Sequence, residues 1–185
     1  MSAGFILLPL LLIAARPSAG LFITGMCIAG IGLAIRAWAS GYLKKNRELT
    51  VSGPYAHTRN PLYVGTFLVG AGVAVSTASW WFVAVFIALY LLIYVPVMMA
   101  EAETLRSLFP SQFADYQREV PLFLPRLTPY AGDTLTSSTG VLSDVADKRP
   151  RFETAIYMRH REYRATMGVL LVYALMGVKF LLIGL

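Results

Sequence analysis

Apolar residues run along this chain in long blocks, not in strict alternation or as a single helical stripe. Five blocks stand out: Met1–Ala15, Leu21–Ala39, Leu62–Ala78, Trp80–Ala100 and Ala165–Leu185. A helix needs roughly 20 apolar residues to cross about 30 Å of hydrocarbon. The pattern therefore predicts an all-α, polytopic membrane bundle of about five transmembrane helices, with amphipathic helices on its cytoplasmic side. The first block is the shortest and ends at Arg16-Pro17. With no basic stretch before it and a second apolar run directly after it, it reads as a retained helix, not a cleaved leader. The fourth opens on the interfacial pair Trp80-Trp81 and carries Pro96 as a kink site, and Lys179 interrupts the fifth.

Between Ala74 and Trp80 there is room only for a tight turn, so the third and fourth runs should form an antiparallel hairpin. Gly25, Ala29 and Gly30 in the second run, and Gly65, Gly70 and Gly72 in the third, are small enough to let helix backbones approach closely. The chain thus divides into N-terminal helices over 1–40, a core with the hairpin and the polar motifs over 41–129, a linker over 130–150, and an interfacial helix with the C-terminal span over 151–185. The linker is rich in Gly, Ser, Thr and Asp. The basic aromatic stretch "RFETAIYMRHREYR" reads as interfacial.

Composition agrees with a membrane location: 57% of residues are hydrophobic and 14% charged, and mean hydropathy is +0.62. Ordinary soluble domains are excluded on that ground. Charge then sets an orientation. Lys44, Lys45, Arg47, Arg59, Arg106, Arg118 and Arg126, with six more basic residues between Lys148 and Arg164, fall on one side of the expected bundle. By the positive-inside rule that side is cytoplasmic. The net charge of +6 is then orientation bias and attraction to anionic membrane lipids, and calls for no nucleic acid. The single Cys27 allows no disulfide framework, and His57 and His160 are too far apart to suggest zinc.

The stretch "GPYAHTRNPLYVG", Gly53 to Gly65, is the densest polar motif. Gly53-Pro54 signals a turn. Pro61 disfavours helix at Asn60, so a helix should open with Asn60 as its cap and Pro61 in its first turn. Free backbone N–H groups and the positive end of a helix dipole, with Arg59 beside them, would suit a carboxylate or phosphate. Tyr55 and Tyr63 offer aromatic faces for a base or a cation. Taken alone, the same residues also read as a helix cap, an interfacial anchor and an aromatic belt. A second constellation weighs against that plainer reading: Glu101 and Glu103 follow directly on the fourth apolar run, and carboxylates at membrane level are usually functional or paired. Glu101 and Arg59 lie at the same ends of paired helices, where they could meet. Downstream, Leu105, Leu108, Phe109, Phe113, Tyr116 and Val120 recur at helical spacing, predicting an amphipathic helix reset at Phe109-Pro110 that covers the site.

The order G-P-Y, four residues, N-P-x-Y-x-G, a hydrophobic hairpin, then E, three residues, L, three residues, F resembles the isoprenylcysteine carboxyl methyltransferase and phospholipid methyltransferase group of integral membrane enzymes. The likeness covers about Arg47 to Arg126. It implies S-adenosylmethionine as cofactor, held by Arg47, Glu48, Leu49, Thr50, Tyr55, Asn60, Pro61, Leu62 and Tyr63, with Glu101 closing the pocket and Arg59 and Glu101 as the catalytic pair. The implied acceptor is a lipophilic small molecule, a lipid or a lipidated group. Three positions depart from the pattern: Asn60 where histidine is frequent, Ala102 where a second glutamate is frequent, and Val97 where the eukaryotic isoprenylcysteine enzymes place a substrate-contacting arginine. The resemblance therefore speaks to the methyl donor more than to the acceptor. Glu103 and His57 are the candidate bases for an amine or alcohol acceptor. Two rival readings are an NADPH-dependent oxidoreductase like the membrane sterol reductases, which need no Gly-rich fingerprint, and a non-enzymatic membrane scaffold.

Overall fold

The structure, a computed structural model, describes residues 18–42, 49–131 and 163–183. Over these residues the chain is all-helical, with no strand. Its helices are α1 (Ala19–Ser40), α2 (Pro61–Ser76), α3 (Trp80–Leu108), α4 (Pro110–Glu119) and α5 (Tyr163–Ile183), with a 3₁₀ turn at Gly53–Ala56. Three of them, α1, α3 and α5, are long and apolar enough to cross a membrane, and α2 is a shorter apolar helix. The chain is an integral membrane protein. The expected first helix, Met1–Ala15, lies outside the described residues, as do most of the linker and the basic aromatic segment. The third expected crossing is shorter than anticipated: the 16 residues of α2 rise about 24 Å. The fourth is longer. Hydropathy stops at Ala100, but the polar continuation keeps good helix formers, and α3 runs on for 29 residues to Leu108 with Pro96 inside it. Arg106 donates to Glu103 at 2.7 Å, one turn back. The helix resets at Phe109-Pro110 as the sequence predicts.

The helices divide into two compact units, one comprising residues up to Ala34, Gly65–Val95 and the chain from Arg161, the other Ile35–Val64 and Pro96–His160. In the first unit α1 and α2 touch through small residues. A side chain added at Gly72 would strike the Gly25 carbonyl and the backbone and Cβ of Ala29, and one at Gly32 would strike the backbone of Gly65 and Val69. Gly25, Ala29 and Gly32 share one helical face. Gly30, expected among the contacts, is turned away from that face and has nothing within 4 Å of an added Cβ. In hydrocarbon there is no hydrophobic drive between helices, so close backbone approach and polar contacts take its place. The polar contact is Ser76, fully buried, whose Oγ lies 3.2 Å from the Tyr173 hydroxyl of α5 and 3.0 Å from the Gly72 carbonyl. Phe22 packs edge-on against Tyr173.

The expected tight turn joins α2 to α3. Thr77 Oγ1 donates to Ala74 C=O at 2.7 Å and accepts from Ser79 N–H, and Ala78 takes a left-handed φ of 57°. The substitution Gly72→Val should lower stability by about 1–3 kcal/mol through overpacking against α1, read as a fall in thermal midpoint in detergent. Gly30→Val, on the open face, should leave the midpoint nearly unchanged.

Candidate functional site

The polar motif, up to Val64, lies in the second unit, and its backbone is shaped by three special residues. Gly53 has φ +59°, and a Cβ there would also meet the ring of Tyr42. Pro54 starts the 3₁₀ turn, whose carbonyl at Pro54 accepts from both His57 and Thr58 N–H. Pro61 then opens α2, as predicted from the Asn-Pro pair.

An irregular stretch at a membrane edge leaves backbone groups that need partners. Here a second irregular stretch, Pro121 to Tyr130, supplies them. The Tyr116 hydroxyl donates to Tyr55 C=O at 2.6 Å, and Tyr130 N–H to Ala56 C=O at 2.8 Å. His57 and Arg126 are paired twice: Arg126 N–H donates to His57 C=O at 2.9 Å, and His57 Nδ1 donates to Arg126 C=O at 2.8 Å. Because a carbonyl can only accept, a proton is on Nδ1, which in the neutral ring leaves the lone pair on Nε2. Thr58 Oγ1 donates to Phe123 C=O at 2.9 Å, Arg59 N–H to Pro121 C=O at 3.0 Å, and the Asn60 amide to Leu122 C=O at 2.9 Å. Every residue from Tyr55 to Asn60 is tied to the 116–130 region.

Two expectations change in consequence. The side-chain amide of Asn60 is used as a donor to Leu122, while its backbone carbonyl accepts from both Tyr63 and Val64 N–H at 3.1 Å. The start of α2 therefore does not present a fan of free amides, and what it offers an anion is the dipole and Arg59. Nor do Arg59 and Glu101 form an ion pair. Glu101 is exposed on α3, and Glu103 is paired with Arg106.

Arg59 is instead drawn inward. Its guanidinium carbon lies 5.9 Å from the centroid of the Phe113 ring, a cation–π geometry. Its Nε is buried without a hydrogen-bond partner. Burial lowers its pKa, the polarity of Tyr116 opposes that shift, and the nearby charge of Arg106 adds to it. The ring beneath it belongs to a core of Phe113, Tyr116 and Val120, packed against Leu49, Val51, Ala102, Leu105, Phe109 and Tyr130. The amphipathic helix thus covers the motif with the face the sequence marked, except at Leu108, which is 51% exposed.

The remaining expected positions fall in three groups. Tyr55, Asn60 and Pro61 are buried, so Tyr55 stands inside the core. Leu49, Thr50, Leu62 and Tyr63 are half-buried beside it. Arg47 and Glu48 lie outside the described residues. The sequence did not single out Thr58 or the Pro121–Tyr130 segment as the motif's partner. Among the described residues no group of three or more His, Cys, Asp or Glu side chains is placed to hold a metal ion.

Residues 18–112 match the phospholipid methyltransferase family. The chain belongs to that family. It is 38% identical over 112 residues to the cobalt-zinc-cadmium resistance protein CzcN of Cupriavidus metallidurans, covering 60% of this chain and 50% of that protein. It is 34% identical over 119 residues to the nickel-cobalt-cadmium resistance protein NccN of Alcaligenes xylosoxydans xylosoxydans, covering 63% of this chain and 55% of that one. The chain spans about half the length of these curated relatives. No solved structure matches.

Two outcomes follow from the stitched motif. Thr58→Val removes the hydroxyl that donates to Phe123 C=O and accepts from Asn60 N–H and should destabilise the protein by about 1–3 kcal/mol, read by thermal unfolding. Burial pushes the Tyr116 phenol pKa well above its ordinary value. Above pH of about 10 the unfolded chain gives up this proton while the folded chain keeps it, so the folded state binds more protons and stability falls as pH rises. The contribution is complete below that pH, and Tyr116→Phe should remove this part of the alkaline decline.

Proposed function

We propose that the chain is an integral membrane methyltransferase that uses S-adenosylmethionine and acts on a lipophilic acceptor, with its site facing the cytoplasm. Family membership supports the reaction class, and the observation that carries the cofactor reading is the buried, unpartnered Nε of Arg59 beside the start of α2. A half-buried cation with a buried, unused donor fits an anionic group, and the cofactor has a carboxylate to offer. The residues present therefore fit it: Arg59 with the α2 dipole for the carboxylate, the exposed Glu101 for ribose hydroxyls or the amino group, and Tyr63 for the flanking aromatic contact.

When bound, S-adenosylmethionine would supply a sulfonium methyl group that passes in line to an acceptor oxygen or nitrogen, with the neutral thioether S-adenosylhomocysteine as leaving group. The share of this chain's residues is positioning and exclusion of water. The hydrogen bonds from Tyr55 to Asn60 fix the backbone on either side of Arg59, and Phe113 fixes the guanidinium from below. A carboxylate acceptor needs no base. For an amine or alcohol, His57 is the better of the two candidates, since its Nδ1 bond leaves Nε2 to act as base in the neutral ring while Glu103 is held by Arg106.

Calorimetry on detergent-purified protein tests this. S-adenosylmethionine should bind, NADPH should not, and Arg59→Gln should weaken binding by about 10- to 100-fold, the worth of one charge-assisted hydrogen bond. Binding of NADPH alone, or of neither ligand by protein shown to be folded, would refute the proposal and favour the oxidoreductase or scaffold reading.

A further inference from the structure

The first unit contains a pocket that the site chemistry does not use. It encloses about 400 Å³ and is walled by three helices, through Gly70 and Val73 of α2, Phe82 and Phe86 of α3, and Gly168 and Val172 of α5. Glycine shapes two of its walls. At Gly70 the ring of Phe86 lies where a side chain would stand, and at Gly168 nothing lies within 4 Å of an added Cβ, so that wall faces open space. The Phe86 wall continues along α3 as an aromatic column, with Phe86 and Tyr90 centroids 5.8 Å apart and Tyr90 and Tyr94 stacked at 4.4 Å.

We propose that this pocket holds an acyl chain of a bilayer phospholipid, bound at a fixed position. Its lining is apolar on all sides, and water needs two to four polar partners to settle in a cavity. An empty pocket would forfeit dispersion contacts that a close-fitting hydrocarbon restores. Two of the walls, α3 and α5, are helices apolar enough to span the membrane, so the surrounding solvent is lipid tail. Size argues against a helix as occupant. At a diameter of roughly 10 Å and a pitch of about 5.4 Å, a single helical turn already fills some 400 Å³. The pocket's volume lies within the roughly 300–1,000 Å³ of small-ligand sites. This assignment is independent of the methyl-transfer reading and stands or falls separately from it.

The test uses the full chain reconstituted in vesicles of phosphatidylcholine carrying a photoactivatable diazirine on one acyl chain, with cross-linked peptides mapped by mass spectrometry. Label should concentrate on the stretches 82–89 and 165–172, several-fold above the lipid-exposed residues Leu91 to Ile93. Gly168→Leu fills the pocket and should abolish that excess while leaving the label at 91–93 unchanged. Gly30→Leu, which adds the same side chain on another open surface, should leave both unchanged. If Gly168→Leu does not fold, Val172→Phe fills the same space from a different position and should give the same loss. Wall labelling no greater than at 91–93, or unaltered by a filling variant that folds, overturns the proposal.

Discussion

The second unit depends on one constraint: backbone that is not helical must find hydrogen-bond partners where water is scarce. Gly53, Pro54 and Pro61 forbid a continuous helix from Gly53 to Asn60, so this stretch satisfies only part of its own N–H and C=O groups. The Pro121–Tyr130 segment, held out of helix by its own prolines, meets it group for group. Each stretch is the other's solution. The position of Arg59 follows, because the residues on both sides of it are pinned and its side chain lies over the Phe113 ring.

The two units are held together by different physics. In the first, where helices are immersed in hydrocarbon, burying apolar surface gains little, and contact comes from absent side chains and from the Ser76–Tyr173 pair. In the second, the spans give way to α4 and the irregular segments, and a small aromatic core of Phe113 and Tyr116 forms against Leu49, Leu105 and Tyr130. There the ordinary hydrophobic effect operates. Tyr116 serves both needs: its ring fills that core and its hydroxyl closes the bond to Tyr55.

Which features the sequence disclosed follows from the same physics. Local signals were readable: the start of α2 at Asn60-Pro61, the turn before Trp80, the break at Phe109-Pro110, and the buried face of α4. Each depends on residues within one or two turns of each other. The unbroken run of α3 past Ala100 was missed because hydropathy marks where the hydrocarbon ends, whereas helix continuation depends on propensity, which Glu101 to Leu108 retain. Gly30 and Gly32 are both small, and only the position of the neighbouring helix decides which one is used. The partnership of the 55–60 and 121–130 segments left no periodicity, since its bonds join residues more than 60 positions apart and many use backbone groups that every residue type possesses.

Asn60 shows how such a long-range bond can explain a departure in sequence. The histidine that the family resemblance implies at this position and the asparagine found here look like two ways of capping a helix. The structure gives the side chain another duty, donation of an N–H to the Leu122 carbonyl at 2.9 Å. A histidine ring N–H can make the same donation, so either residue ties α2 to the closing segment. What the position needs is a donor able to reach that carbonyl, and Leu or Val would leave it only the longer bond from the Thr58 hydroxyl, at 3.4 Å. The substitution is then conservative in hydrogen bonding, and it keeps Arg59, one residue before it, with its unpartnered Nε and its place over Phe113.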